Sequence, residues 1–281
     1  GGLRYLKNFE FKLVYDVGRE REILHQNAMH LVLAEKMLLP ILKKGSLGKF
    51  TTSIGLRLYD LLAGVKYNER RIMLNKEETL QEEVLLKNEP VIGGGLYYEY
   101  RTDDARLTID VLKTACIKYG AKALNYARVD HFTYSPEKKV NGLVFIDEKT
   151  KNAHSIRAKS IVNAAGPWVD ALRSSDQSLY GKRIQHSKGV HLVFAHANIP
   201  LKHAIYFDLP DGRMMFAIPR NECTYVGTTD TFYKESLEHP VITRDDIEYI
   251  LTGINQILEK GHVQKEMILS MWSGVRPLIY E

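Results

Sequence analysis

Arg276 follows Gly274 by two residues and precedes Pro277, a stiff setting that aims a side chain. Its planar fork suits bidentate recognition of a phosphate, and a structural carboxylate would use the same fork equally well. His191 opens an apolar run just after Lys188-Gly189. Imidazole is the side chain that gains and loses a proton near neutral pH, although a plain core or surface histidine fits this pattern too. Arg4 comes just after Gly1-Gly2 and before Tyr5, where backbone approaches a cofactor or where a terminal segment merely begins. Gly227-Thr228-Thr229-Asp230 offers two hydroxyls and a carboxylate at a strand end, which is a site or a turn with local side-chain capping. Lys188, Tyr5 and Arg106 are ambiguous by themselves, and Arg106, in a first helical turn, reads as structural. No nucleophile elbow, P-loop or metal-ligand pair is present.

One further stretch, SIVNAAGPWVD at 160–170, has the composition of a cofactor turn. Ile161 and Val162 read as a buried strand, 163–166 as a tight small-residue turn, and Pro167 as the first residue of a helix. Small residues let backbone approach something flat or charged, and the helix start offers free N–H groups to an anion. A purely structural strand-turn-helix has the same pattern.

The elements that must position these residues alternate in type. A helical stripe at Phe9, Leu13, Val17, Leu24 and Ala28 predicts a helix over 8–28. The 30–42 run is apolar but interrupted by Pro40, and a second stripe runs from Ile54 to Val65. Asn75 with Glu78 predicts a capped short helix to about Leu86. Gly93-Gly94-Gly95 breaks the pattern before a strand at 96–101; with strand rather than helix following, the triplet is no dinucleotide fingerprint. Asp103 or Asp104 caps a helix that Gly120 ends. A brief strand at 122–125 is followed by three more at 128–134, 140–147 and 154–159. Beyond Asp176 strands dominate, at 190–195, 204–209, 214–219 and 224–229, joined by hairpin turns at 210–212 and 220–222. Thr243 caps one more helix, and a strand at 267–272 delivers Gly274 and Arg276.

The composition is that of a globular protein: 281 residues, 44% hydrophobic, enough for a substantial core or two domains sharing an interface. The net charge of +5 is scattered among acids, which favours small anionic ligands or a membrane surface over nucleic acid. Two cysteines in dissimilar contexts make neither a disulfide framework nor a zinc site, and a reducing compartment fits best. No apolar run approaches the ~18 residues of a spanning helix. The first residue is not Met, and both ends look cut from a longer protein.

Six motifs, GGLRYL at 1–6, DDARL at 103–107, NAAGPWVD at 163–170, KGVH at 188–191, GTTD at 227–230 and SGVRPL at 273–278, occur in order and in register. In these the chain resembles the FAD-dependent glycerol-3-phosphate dehydrogenases over essentially its whole length. The resemblance implies a mixed α/β fold of the D-amino-acid oxidase type. An FAD-binding Rossmann-like domain would be built from 1–29, 101–182 and 268–281, and a substrate domain with an antiparallel sheet from 30–100 and 183–267. It implies oxidation of sn-glycerol 3-phosphate to dihydroxyacetone phosphate, with hydride passing to FAD and electrons to a membrane quinone. The enzyme would lie in the cytoplasm, peripheral on the inner face of the membrane, and a homodimer is possible. His191 and Arg276 match the family's catalytic positions. Arg4, Tyr5, Thr228 and again Arg276 match its substrate-binding positions. Gly1, Gly2, Val129, Ala165 and Gly166 match its cofactor-binding positions.

The G-x-G-x-x-G strand-turn-helix that holds the FAD pyrophosphate is absent from the sequence, and Ala165 stands where the family more commonly has Thr. The expectation is therefore an internal fragment that binds FAD poorly and turns over nothing by itself. An oxygen-using oxidase and a non-catalytic binding protein of the same fold are the two rival readings.

Overall fold

Period-two burial organises the main sheet. In a computed structural model, residues 10–43, 45, 48–62, 64–65, 69–258 and 263–280 are described. Gly1, Gly2, Arg4 and Tyr5 lie outside them. The fold is mixed α/β, and the chain divides into two compact units. One comprises Gly1–Ile109, Val190–Thr229 and Ile242–Ser273, the other Asp110–Gly189, Asp230–Val241 and Gly274–Glu281.

The first unit contains helices α1 (Phe11–Asn27), α2 (Lys49–Leu62) and α3 (Lys76–Glu82), and strands β1 (Val32–Leu42), β2 (Ile72–Leu74) and β3 (Val91–Thr102). The strand β7 (Arg183–Ala195) enters it at Val190, and β8 (Ala204–Asp208), β9 (Met214–Arg220) and β10 (Cys223–Gly227) follow. The sheet order is β7-β10-β9-β8-β1-β3-β2, antiparallel throughout except for the parallel β1–β8 pair. Val190, Leu192 and Phe194 of β7, Val226 of β10, Met215 and Ala217 of β9, and Ile205 and Phe207 of β8 all face one side. There they form a single core with Ile250, Ile254 and Ile257 of α6 (Arg244–Ile257). Each of the larger of these side chains contributes roughly 1.5–3 kcal/mol on burial. The alternate residues His191, Phe216 and Tyr225 therefore belong to the opposite face.

The predicted caps form. Asn75 accepts from the backbone N–H of Glu78 at 2.9 Å while Glu78 accepts from that of Asn75 at 2.7 Å, a reciprocal capping box. Thr243 and Asp246 make the same arrangement at the start of α6. Asp103 accepts from the Arg106 N–H at the start of α4 (Asp104–Tyr119), and Gly120 follows its end at φ +68°.

The glycine triplet departs from expectation, because it lies inside β3 and does not precede it. A Cβ on Gly95 would meet Leu56 of α2 at 2.6 Å, and one on Gly94 would meet Thr79 of α3 at 2.9 Å. The glycines let two helices descend onto the strand. Pro40 likewise sits within β1, opposite Gly94, past the Met37 and Leu38 positions that pair with β8.

The second unit holds the antiparallel meander β4 (Ala127–Tyr134), β5 (Val140–Asp147) and β6 (Ala153–Arg157), the short α5 (Val169–Ser175), and β11 (Thr231–Phe232) paired with the Ser187–Lys188 portion of β7. Two predicted strands are absent: neither 122–125 nor 161–162 is extended in a ladder, and Val162 is 86% exposed. A strand needs a neighbour, and no described strand pairs with either segment. The final strand, β12 (Ile268–Tyr280), pairs with β7 and runs well past the predicted end at 272.

Candidate functional site

His191 of β7 and Phe216 of β9 both stand opposite Gly227 of β10, which lies between them. Because Gly227 has no side chain, the two rings lean over it and meet with centroids 5.4 Å apart. A Cβ on Gly227 would fall 2.3 Å from His191 Cδ2. Trp272 of β12 stacks on the same imidazole at 4.7 Å and 18°, and Tyr225 meets both rings, at 6.3 Å from His191 and 5.4 Å from Trp272. His191 Nδ1 is buried. Burial pushes the Tyr225 phenol above its ordinary pKa, so it stays protonated beside the imidazole at neutral pH. The Gly227–Thr228 peptide is cis, and the Thr228 hydroxyl donates to the Thr229 carbonyl at 3.1 Å. Buried Thr229 accepts from the backbone N–H of Val190 at 3.0 Å, tying the end of β10 to the residue before His191.

In the second unit Arg276 lies against Gly189, where a Cβ would come within 2.3–2.8 Å of the guanidinium. Its Nη1 is 3.6 Å from Asp230 Oδ1, and the Ser187 hydroxyl donates to that same oxygen. Lys188 donates to the Val241 carbonyl at 2.7 Å, a structural use of a buried ammonium. Arg276 is about one-third exposed and so keeps room for a ligand beside its carboxylate partner.

The 160–170 stretch is an irregular loop ending in a 3₁₀ turn at Gly166–Trp168 and then α5. Gly166 adopts φ +54° with nothing within 4 Å of where a Cβ would stand. An open, left-handed glycine beside exposed Asn163 and Ala164 and half-buried Ala165 is backbone that a flat or charged group can approach closely. The residues present therefore fit a cofactor held by main chain. Val129, on β4 opposite Phe145, is half-buried in the same unit. Asp170 anchors the segment: it accepts from the Ile184 N–H at 2.8 Å and from Arg173 at 2.8 Å. The Ile184 amide, foremost, and the Arg173 guanidinium hold its carboxyl below the usual carboxylate range.

Sequence reasoning gave no role to Trp272, Ser187 or Asp170, although all three stand within or beside the quoted motifs, and it named Asp230 only as the carboxylate of the Gly227–Asp230 turn. Trp272 left one signal, an aromatic residue on a strand just before SGVRPL.

The profile of the family described as "FAD dependent oxidoreductase" matches residues 1–281. The chain is 55% identical over all its 281 residues to the aerobic glycerol-3-phosphate dehydrogenase of Bacillus subtilis and covers 50% of that protein. The Staphylococcus aureus enzyme of the same name is 51% identical, again with 50% of its length covered. The chain thus spans about half the length of these relatives. The Bacillus halodurans glycerol-3-phosphate dehydrogenase complexed with FAD superposes on 95% of the chain with a TM-score of 0.81 at 45% identity, and 48% of that protein is covered. The L-alpha-glycerophosphate oxidase of Mycoplasma pneumoniae, at 16% identity and a TM-score of 0.74, shares the fold. Sequence and structure together place the chain in the family of FAD-dependent oxidoreductases.

Proposed function

We propose that the chain is the part of an FAD-dependent glycerol-3-phosphate dehydrogenase that carries its substrate-handling residues. The observation that carries this reading is identity above 50% over the whole chain with two enzymes of that name, with His191 and Arg276 each held by a dedicated glycine. The substrate, sn-glycerol 3-phosphate, becomes dihydroxyacetone phosphate. Bound FAD supplies the two-electron acceptor for the hydride leaving C2. His191 takes the proton of the C2 hydroxyl as that hydride departs, acting as general base. Arg276, with Arg4, binds the dianionic phosphate and offsets developing negative charge. Tyr5 and Thr228 orient the substrate.

Gly1, Gly2, Ala165 and Gly166 would hold FAD by backbone, with Val129 toward its adenine end. In this reading 1–29, 101–182 and 268–281 belong to the FAD domain, and 30–100 and 183–267 to the substrate domain. A membrane quinone is the final electron acceptor. Among the described residues no helix is long and apolar enough to cross a membrane, and we place the enzyme peripherally on the inner membrane face, as a possible homodimer.

The test is steady-state kinetics on the full-length, FAD-loaded enzyme. His191→Ala lowers kcat by roughly 10²–10⁴-fold, the span of general-base contributions, with KM little changed. Arg276→Leu raises KM for glycerol 3-phosphate and leaves turnover of unphosphorylated glycerol as slow as in the parent. Wild-type kinetics in both variants would refute these assignments.

A further inference from the structure

We infer that Trp272 is a positioning residue for His191, acting with Gly227 to fix the plane of the imidazole; this rests on the proposed role of His191 as the proton acceptor. A histidine on an open sheet face rotates about its Cβ–Cγ bond with little resistance, because a torsion onto a planar ring has broad wells. A base free to rotate spends part of its time with the accepting nitrogen turned away. The surroundings of His191 remove that freedom.

Gly227, opposite it in the ladder, provides a floor on which the ring lies, so close that a methyl group there would fall 2.3 Å from Cδ2 and 2.8 Å from Nε2. Phe216 reaches over the same glycine from the strand beyond, 5.4 Å away and tilted by 30°. Trp272 contributes the large flat surface, nearly parallel to the imidazole at 18°. Tyr225 braces the indole at 5.4 Å in turn. Phe216 and Tyr225 pack edge to face at 6.4 Å and 87° and close the group. The four aromatic side chains come from neighbouring strands of one sheet, with β10 and β9 on one side of β7 and β12, which delivers the indole, also paired with β7. Trp272 remains 45% exposed, so one part of the indole faces outward while its flat face lies against the imidazole. Its contact with the imidazole is face to face, the geometry that resists ring rotation.

The experiment is anaerobic stopped-flow reduction of the flavin in the full-length, FAD-loaded enzyme by glycerol 3-phosphate, yielding a limiting rate and an apparent Kd for each variant. Trp272→Leu keeps apolar bulk but loses the flat face; its limiting rate falls roughly ten- to a hundredfold, the cost of a misplaced reacting group, while Kd stays within about twofold. Trp272→Phe restores most of that rate. Gly227→Ala, which moves the ring from the other direction with Trp272 intact, lowers the same rate. In the His191→Ala background Trp272→Leu costs nothing further, because the indole acts only through the imidazole. A wild-type limiting rate in Trp272→Leu, or losses that add in the double variant, would overturn the inference.

If glycerol 3-phosphate reduces no flavin even in the parent, the proposed function fails instead. Ring signals of labelled His191 then decide the positioning role by themselves. One ordered set in the parent that broadens or splits in Trp272→Leu supports it, and unchanged signals refute it.

Discussion

At the scale of single residues, two glycines carry more of the account than their size implies. Gly189 and Gly227 each leave the space that a functional side chain occupies, the guanidinium of Arg276 in one case and the imidazole of His191 in the other. Gly189→Ala should drive the Arg276 fork off its seat beside Asp230. Loss of a charge-assisted hydrogen bond costs about 1.5–3 kcal/mol, so KM for glycerol 3-phosphate is expected to rise roughly ten- to a hundredfold with a smaller change in kcat. Steady-state kinetics on the variant check this, and an unchanged KM would remove Arg276 from phosphate binding. His191 and Arg276 could be named from the sequence because an imidazole and a guanidinium suit proton and phosphate chemistry, although a core histidine and a carboxylate-bound arginine fit the same patterns. Trp272, Asp230 and the two seating glycines were not legible as partners. Their roles depend on contacts between strands distant in sequence, and no local spacing records which side chain a glycine makes room for.

At the scale of elements, the helix starts were the most legible part of the fold. A cap is a contact within four residues, so Asn75 with Glu78 and Thr243 at the head of α6 could be read directly. Thr243→Ala is expected to cost about 1 kcal/mol. Ile254→Ala, at a fully buried position of α6, is expected to cost about 3 kcal/mol, both measured by denaturant unfolding. A smaller loss at Ile254 than at Thr243 would contradict the core described for the first unit.

Strands were less legible, since 122–125 and 161–162 have strand-like composition but pair with no described strand, and the glycine triplet of β3 answers to helices packed on it. Asp170 shows how a motif residue works at this level, joining α5 to the start of β7 through the Ile184 amide. Its folded-state pKa is lowered, so its contribution to stability is fully present above the unfolded-state pKa of about 3.9 and is lost as pH falls through the folded value. Asp170→Asn should therefore be less stable than the parent at pH 7, and the difference should shrink on acidification below about pH 4. A stability difference independent of pH would contradict this assignment.

At the scale of the whole molecule, the second unit exposes several large apolar side chains. Val111, Ile117, Tyr119, Leu124, Val162, Tyr180 and Ile279 are each more than half exposed, and no side chain of α4 is buried. Scattered apolar residues are ordinary on a protein surface, but these side chains are available to be covered in a longer protein. The 281-residue chain by itself is expected to bind a hydrophobic dye strongly and FAD weakly, and a protein of the relatives' full length to reverse both. Equal dye binding by the two would show that these side chains stay in water.

The central claim concerns substrate and cofactor together, and anaerobic addition of glycerol 3-phosphate to the full-length protein with FAD bound tests it most directly. The account predicts rapid bleaching of the flavin absorbance by glycerol 3-phosphate and none by glycerol or glycine at the same concentration, with recovery when quinone is added. A flavin that stays oxidised with glycerol 3-phosphate, or that is bleached faster by an amino acid, would contradict it.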